Sequence, residues 1–215
     1  MTRTYRSPRR ALQAQQTRVV VLAACRSLFA ERGWAATGVR DVASEAVVSV
    51  ETVYATLGGK VALLTAALDG AVAGDDEPIP LSERPVFHAM GEGDFGTRVA
   101  AAASLITDIH VRTIGLQLAL REGAGGEPEL ARLLATQEEN RRASTGQGMA
   151  LVLRREIGDR ERDLFWAQTC PEVFDALVNR SGWSTEQYAA WVASLIENLQ
   201  REPRRRTWMG LPTPG

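Results

Sequence analysis

The stretch Gly38-Val39-Arg40-Asp41-Val42-Ala43-Ser44-Glu45-Ala46-Val47-Val48-Ser49-Val50-Glu51-Thr52-Val53-Tyr54-Ala55-Thr56-Leu57 holds two short helical patterns separated by Val47-Val48-Ser49. In the first, Val39, Val42, Ala43 and Ala46 recur at i, i+3, i+4 and i+7, one face of an amphipathic helix. Gly38 with Asp41 three residues on is its expected cap. The second opens at Ser49, whose hydroxyl can accept the Thr52 amide, and Val48 and Val53 hold the two positions of a hydrophobic staple. Two short helices across a three-residue turn make a helix-turn-helix, in which the second helix enters a major groove by its exposed, N-terminal side. The exposed candidates are Val50, Glu51, Thr52, Tyr54, Ala55 and Thr56.

Outward from this stretch the chain continues to read as helix. Val21, Ala24, Cys25, Leu28 and Phe29 form one helical face that ends at Gly33, where a left-handed cap is expected. Gly58-Gly59 closes the second short helix, and Lys60 opens another through Val61, Leu64, Leu68 and Val72. From Gly74 to Gly96 the composition turns to acids, prolines and glycines, a long connection with at most short helical pieces. Helices are then expected over 97–122, from Pro128 to 155, over 159–169 and 171–178, and over 184–201, the last behind a Ser184-x-x-Gln187 capping box. No segment alternates as a half-buried strand would, so the fold class is all-α.

The chain has 215 residues, 45% of them hydrophobic and 24% charged, a soluble globular composition. Its longest apolar run, Val19 to Cys25, is seven residues, too short to span a bilayer, and the helical pattern runs through Cys25 where a lipoprotein leader would be cut. Cys25 and Cys170 read as two buried thiols. With only His88 and His110, no cluster at metal-ligand spacing and no nucleophile beside a base, neither a metal, a cofactor nor an enzyme is expected. The formal net charge of −1 conceals a contrast: residues 1–60 carry nine Lys/Arg against four Asp/Glu, the remainder 16 against 22. A basic head suits phosphate, and an acidic body stays off it.

The elements Ala24-Cys25-x-x-Leu28-Phe29-Ala30-Glu31-Arg32-Gly33-Trp34, Thr37, Val39-Arg40-Asp41-Val42-Ala43, Val48-Ser49-x-x-Thr52-x-Tyr54 and Lys60-x-x-Leu63-Leu64 resemble, in order, the TetR/AcrR-type transcriptional regulators. The likeness covers about residues 15–70. A second one, Asp163-Leu164-Phe165-Trp166-Ala167-x-Thr169-x-Pro171-Glu172-Val173 with Gly182-Trp183-Ser184-x-Glu186-x-Tyr188-x-x-Trp191, resembles the C-terminal domain of one branch of that family.

The resemblance implies a homodimer in the bacterial cytoplasm, off the membrane. Its N-terminal three-helix domains would read a palindromic double-stranded DNA operator, and a C-terminal helical bundle would dimerise and hold a small-molecule effector. The implied organisation is a basic arm over 1–14, a DNA-binding domain over 15–74 with its helix-turn-helix at about 38–57, an effector and dimerisation domain over 75–201, and a flexible tail over 202–215. Thr37, Tyr54 and Lys60 would grip phosphates, and Arg40, Ser49, Val50, Thr52 and Val53 lie where base or backbone contacts occur. Val53 is also claimed by the staple. Repression is the expected sign of regulation.

His110, Phe165, Trp166 and Cys170 are the candidate ligand contacts, each with a packing role as its alternative. Arg3, Arg6, Arg9, Arg10 and Arg204-Arg205-Arg206 are either DNA contacts or solvated charge. Three departures from the family pattern stand out: Val47 replaces a turn glycine, Glu51 replaces a small residue, and 47–59 contains no Lys or Arg. They leave two rivals open, a helix-turn-helix used as a protein-interaction module and a small α-helical enzyme.

Overall fold

The computed structural model describes residues 8–74 and 79–201, and every regular element among them is helical. Pro8–Arg32 (α1), Val39–Glu45 (α2), Val50–Thr56 (α3) and Lys60–Ala73 (α4) build an N-terminal head. Single 3-10 turns at Leu81–Glu83 and Ala89–Gly91 flank Pro85–His88 (α5) in the connection. The body consists of Phe95–Ala124 (α6), Pro128–Leu153 (α7), Asp159–Gln168 (α8), Pro171–Phe174 (α9) and Thr185–Arg201 (α10).

Local capping chemistry sets most of these ends. Asp94 accepts the Thr97 amide at 2.8 Å at the start of α6, and Ser184 and Gln187 exchange bonds of 2.8 and 3.2 Å ahead of α10. Gly33 (φ 75°) and Gly74 (φ 91°) end α1 and α4 in the left-handed region. Two expectations are corrected. Residues 8–14 are the first turns of α1 rather than an arm, Pro8 standing where a helix needs no N–H. The helix expected over 171–178 widens after Phe174 into a π turn, Asp175–Arg180, and the Trp183 amide reaches the Leu177 carbonyl at 3.0 Å. Arg3, Arg6 and Arg204 to Arg206 lie outside the described residues.

Two cores hold the molecule. The head core takes Val21, Cys25, Leu28 and Phe29 from α1, Val42 and Ala43 from α2, Val53 from α3, and Leu63, Leu64 and Leu68 from α4. It is completed by Leu116, Ala119 and Leu120 of α6 and Leu130 of α7, so the head does not close on itself. The body core joins Val99, Ala102 and Leu105 of α6 to Met149 and Val152 of α7, Phe165, Phe174, and Tyr188, Val192 and Ile196 of α10. By length and composition the 30-residue α6 could cross a membrane, which no uninterrupted apolar run in the sequence betrays. Its apolar sides are divided between the two cores.

The turn between α2 and α3 carries strain. Val47 sits at φ 54° with 88% of its surface exposed, so a β-branched residue occupies the left-handed region and no burial offsets it. That conformation costs roughly 1–2 kcal/mol for an L-residue, against about 0.5–1 kcal/mol of extra chain entropy for glycine. Val47→Gly is expected to stabilise the protein by about 0.5–1 kcal/mol in urea titrations. A loss of stability would mean that the turn draws support from the valine side chain.

Candidate functional site

The helix-turn-helix is assembled by contacts three and four residues apart. The Asp41 carboxylate accepts the Gly38 amide at 2.7 Å, and Ser49 Oγ accepts the Thr52 amide at 3.1 Å while lying 3.0 Å from the Thr52 hydroxyl. Val53 is thereby turned inward and is fully buried. It shapes the reading helix from behind and has no surface to offer a groove, which corrects its placement among the contacts. Thr37 is corrected likewise: only 1% exposed, its hydroxyl is held by the Leu28 and Gly33 carbonyls at 3.1 and 2.8 Å. Val50 is half-buried and packs on the head core.

The surface left outward holds Arg40, Ser49 and Tyr54, with Thr52 half-buried beside them. Tyr54 is 54% exposed, and its ring edge lies 4.0 Å from where a side chain on Gly59 would begin. Glu51, exposed at the first turn of α3, has its pKa lowered by its own backbone amide and then by the Ser49 hydroxyl. An ionised acid therefore stands on α3.

Lys60 opens α4 with its ammonium 4.1 Å from the centre of the Trp34 ring. Partial burial lowers its pKa, and the carboxylates of Glu122 and Asp41 oppose that shift. Glu122 was not evident from sequence. From the last turn of α6 it accepts the Trp34 and Ala35 amides at 2.7 and 3.2 Å, tying the end of α1 to the body across 87 and 88 residues. The available signal was its sign: an acid in a last helical turn opposes the helix dipole and needs another partner.

A cavity of about 1070 Å³ lies between α4, α6, α7 and the connection. His110 and Phe165 line it, as do Thr113 and Gln117, which sequence reasoning did not single out. Trp166 and Cys170 are not part of its wall, a correction with a simple cause. Phe165 points inward, so Trp166, turned about 100° further round α8, faces away. Its ring lies against Arg141, whose guanidinium carbon is 4.6 Å from the ring centre. Cys170 precedes α9 as its cap residue, and burial raises its thiol pKa. Glu138 and Arg141 line the cavity as a paired network: Arg121 bridges Glu138 and Glu172, and Arg141 binds Glu138 at 2.9 Å and the Trp166 carbonyl at 2.8 Å. Among the described residues no three His, Cys, Asp or Glu side chains gather as a metal site.

His110 is 5% exposed, with Nδ1 3.1 Å from the Tyr188 hydroxyl and its ring against Phe174. Burial and then the Arg141 cation push its pKa down to about 3, with Glu172 opposing. Above the unfolded pKa of about 6.5 both states are neutral; below it the unfolded chain takes up a proton that the folded one refuses. His110 is therefore expected to drain stability by about 1.4 kcal/mol per pH unit as pH falls from roughly 6 towards 4. Urea titrations of the wild type and His110→Gln check this, since the variant should lack that part of the acid sensitivity; parallel pH profiles would refute a neutral buried imidazole.

Residues 21–67 match the sequence profile described as bacterial regulatory proteins, tetR family. No curated protein sequence matches the chain. Solved structures share the fold. One assigned to the TetR family of transcriptional regulators, from Mesorhizobium loti, superposes with a TM-score of 0.65 at 16% identity, covering 87% of this chain and 96% of that one. A transcriptional regulator from Rhodococcus sp. Rha1 gives 0.61 at 20% identity over 86% and 96%. Another described as a transcriptional regulator, from Pseudomonas aeruginosa, gives 0.64 at 14% over 87% and 91%. At these identities the likeness is one of fold, and the profile match covers residues 21–67 alone.

Proposed function

We propose that this chain, whose residues 21–67 match the profile of bacterial regulatory proteins of the tetR family, is a DNA-binding transcriptional repressor that reads a palindromic operator as a homodimer and is released by a small molecule held in the α4–α6–α7 cavity. Arg40, Ser49, Thr52, Tyr54 and Lys60 form the DNA-facing surface in this reading. Thr37 and Val53 support it from within.

One observation carries the proposal: α6 lines the cavity from Leu105 to Gln117 and, within two further turns, grips the head through Glu122. A ligand that shifts α6 therefore acts on the orientation of the head. It releases DNA only as far as it prefers the non-binding arrangement, and a coupling of about 1–3 kcal/mol changes operator affinity some 5- to 150-fold. The basic head and acidic body support the same polarity.

Selection of duplexes from a random pool at moderate salt, followed by a compound screen for release, tests the reading. A palindromic consensus and a releasing compound are expected; absence of any sequence preference would end it. Glu122→Gln, which keeps an acceptor but removes the charge, is expected to retain operator binding while cutting ligand-induced release at least 5-fold, as read by fluorescence anisotropy. Undiminished release would remove Glu122 from the coupling. The acid on α3 favours one other reading, a protein-interaction module. That reading predicts a protein partner lost on Glu51→Ala and no operator in the selection.

A further inference from the structure

The chemistry of the cavity wall narrows what the effector is, on the reading that this cavity is the effector site. The wall is mainly apolar, with Phe87, Met90, Leu105, Ile109, Met149 and Phe165 among its side chains. Its charges are either spent or peripheral. Arg141 is taken up by Glu138, the Trp166 carbonyl and the Trp166 ring, and Glu138 is shared with Arg121. Arg18, Asp69 and Glu129 are exposed, and Asp69 accepts the Gln137 amide at 3.3 Å. A ligand charge entering the deep part would meet no free counter-charge, and desolvating it there would be expensive.

His110 is one of the polar residues on this largely apolar wall. Its Nδ1 is turned away from the cavity to Tyr188, which is fully buried and not part of the wall. The Tyr188 hydroxyl has no other hydrogen-bond partner among the described residues. Its proton must go to Nδ1, because the opposite arrangement would bury a phenolic hydrogen with no acceptor. That fixes the tautomer with the ring hydrogen on Nε2. Nε2 has no partner among the described residues and is not sealed within packed protein, so on a wall residue it faces the cavity. Two helical turns along α6, the Oε1 of Gln117 accepts from Arg121 at 3.1 Å, which leaves its amide N–H groups for the same wall.

We propose that the effector is an uncharged molecule with an apolar body and a carbonyl-type acceptor, which takes the Nε2–H of His110, and that Tyr188 is the positioning residue that holds that hydrogen in place. Cations and anions are discriminated against by the absence of a free partner for their charge. The acceptor is selected because, without it, a buried donor stays unpaired.

The test uses four probes of one shape on the full-length protein: benzophenone, diphenylmethane, diphenylmethylamine and diphenylacetate, each titrated by tryptophan fluorescence and calorimetry. Benzophenone is expected to bind about 10-fold tighter than diphenylmethane, the worth of one buried hydrogen bond, and tighter than the amine or the acid. His110→Phe should erase the ketone's advantage while leaving diphenylmethane within about 2-fold of its wild-type affinity. Tyr188→Phe, which frees the ring hydrogen to move to Nδ1, should reduce that advantage and serves if His110→Phe melts early by circular dichroism. Equal affinity for ketone and hydrocarbon, tightest binding of the amine or the acid, no binding of any probe, or a ketone preference that survives both substitutions would each overturn the proposal. Operator affinity is measured separately. Histidine-dependent ketone binding that leaves operator affinity unchanged would defeat the effector reading and keep the ligand class.

Discussion

Lys60→Met is expected to weaken operator binding by about 60-fold at 0.1 M salt and to lower the salt slope by about 2. Each phosphate neutralised contributes about 0.9 to that slope, and at 0.1 M a lost contact removes about 0.9 log unit; the proposed dimer would lose two. Methionine keeps an aliphatic stem over the Trp34 ring, which the lysine ammonium approaches to 4.1 Å, so packing is conserved while the charge goes. The contact matters more here than in a reading helix rich in cations, because residues 47–59 carry none and Glu51 is held ionised among them. Glu51→Gln is the complementary control and should tighten binding. Operator affinity and salt slope are measured by anisotropy between 50 and 200 mM salt. An unchanged slope in Lys60→Met would place the phosphate contacts elsewhere, and Tyr54→Ala would then be the next position to read.

The second large effect is on stability. Gly115 lies where α6 crosses α1, and a Cβ placed on it would stand 2.7 Å from both Cα and Cβ of Ala30 and 3.0 Å from its carbonyl oxygen. Backbone cannot rotate aside as a flexible side chain can. Gly115→Val must therefore separate the two helices, and it does so next to Leu116, Ala119 and Leu120, where α6 completes the head core. Overpacking of this kind costs about 1–3 kcal/mol or more, and for a chain of this size Tm should fall by roughly 3–10 °C. Gly115→Ala should show the same direction with a smaller amplitude. Melting by circular dichroism and urea titration check it; a Tm within a degree of wild type would mean that the α1–α6 crossing is compliant.

These two residues show where the sequence was legible. Lys60 belongs to a local pattern: a glycine pair, then a helix start whose neighbours recur at helical spacing. Gly115 sits in mid-helix with no local reason for being glycine, and only the approach of Ala30, 85 positions away in the chain, supplies one. The same division runs through the candidate contacts. Ser49 and Thr52 bond to each other across three residues, as their spacing foretold. Thr37 and Val53 fall at positions where the family pattern marks function, yet side-chain burial gives them structural work. Among the ligand candidates, His110 and Phe165 line the cavity, while Trp166, about a third of a turn further along α8, and Cys170, in the junction ahead of α9, do not.

The sequence by itself determined the all-α class, the two short helices with their caps, the replacement of a turn glycine by Val47, and the opposition of a basic head to an acidic body. Those features rest on contacts within four residues or on simple counts of charge. The tertiary structure alone decided that the head borrows its core from α6 and α7, that Glu122 holds Trp34 and Ala35, and that the Tyr188 hydroxyl lies against Nδ1 of His110. Each of these joins groups separated by dozens of residues, where neither helical period nor capping pattern constrains which side chains meet, and the packing of whole helices against one another makes the choice.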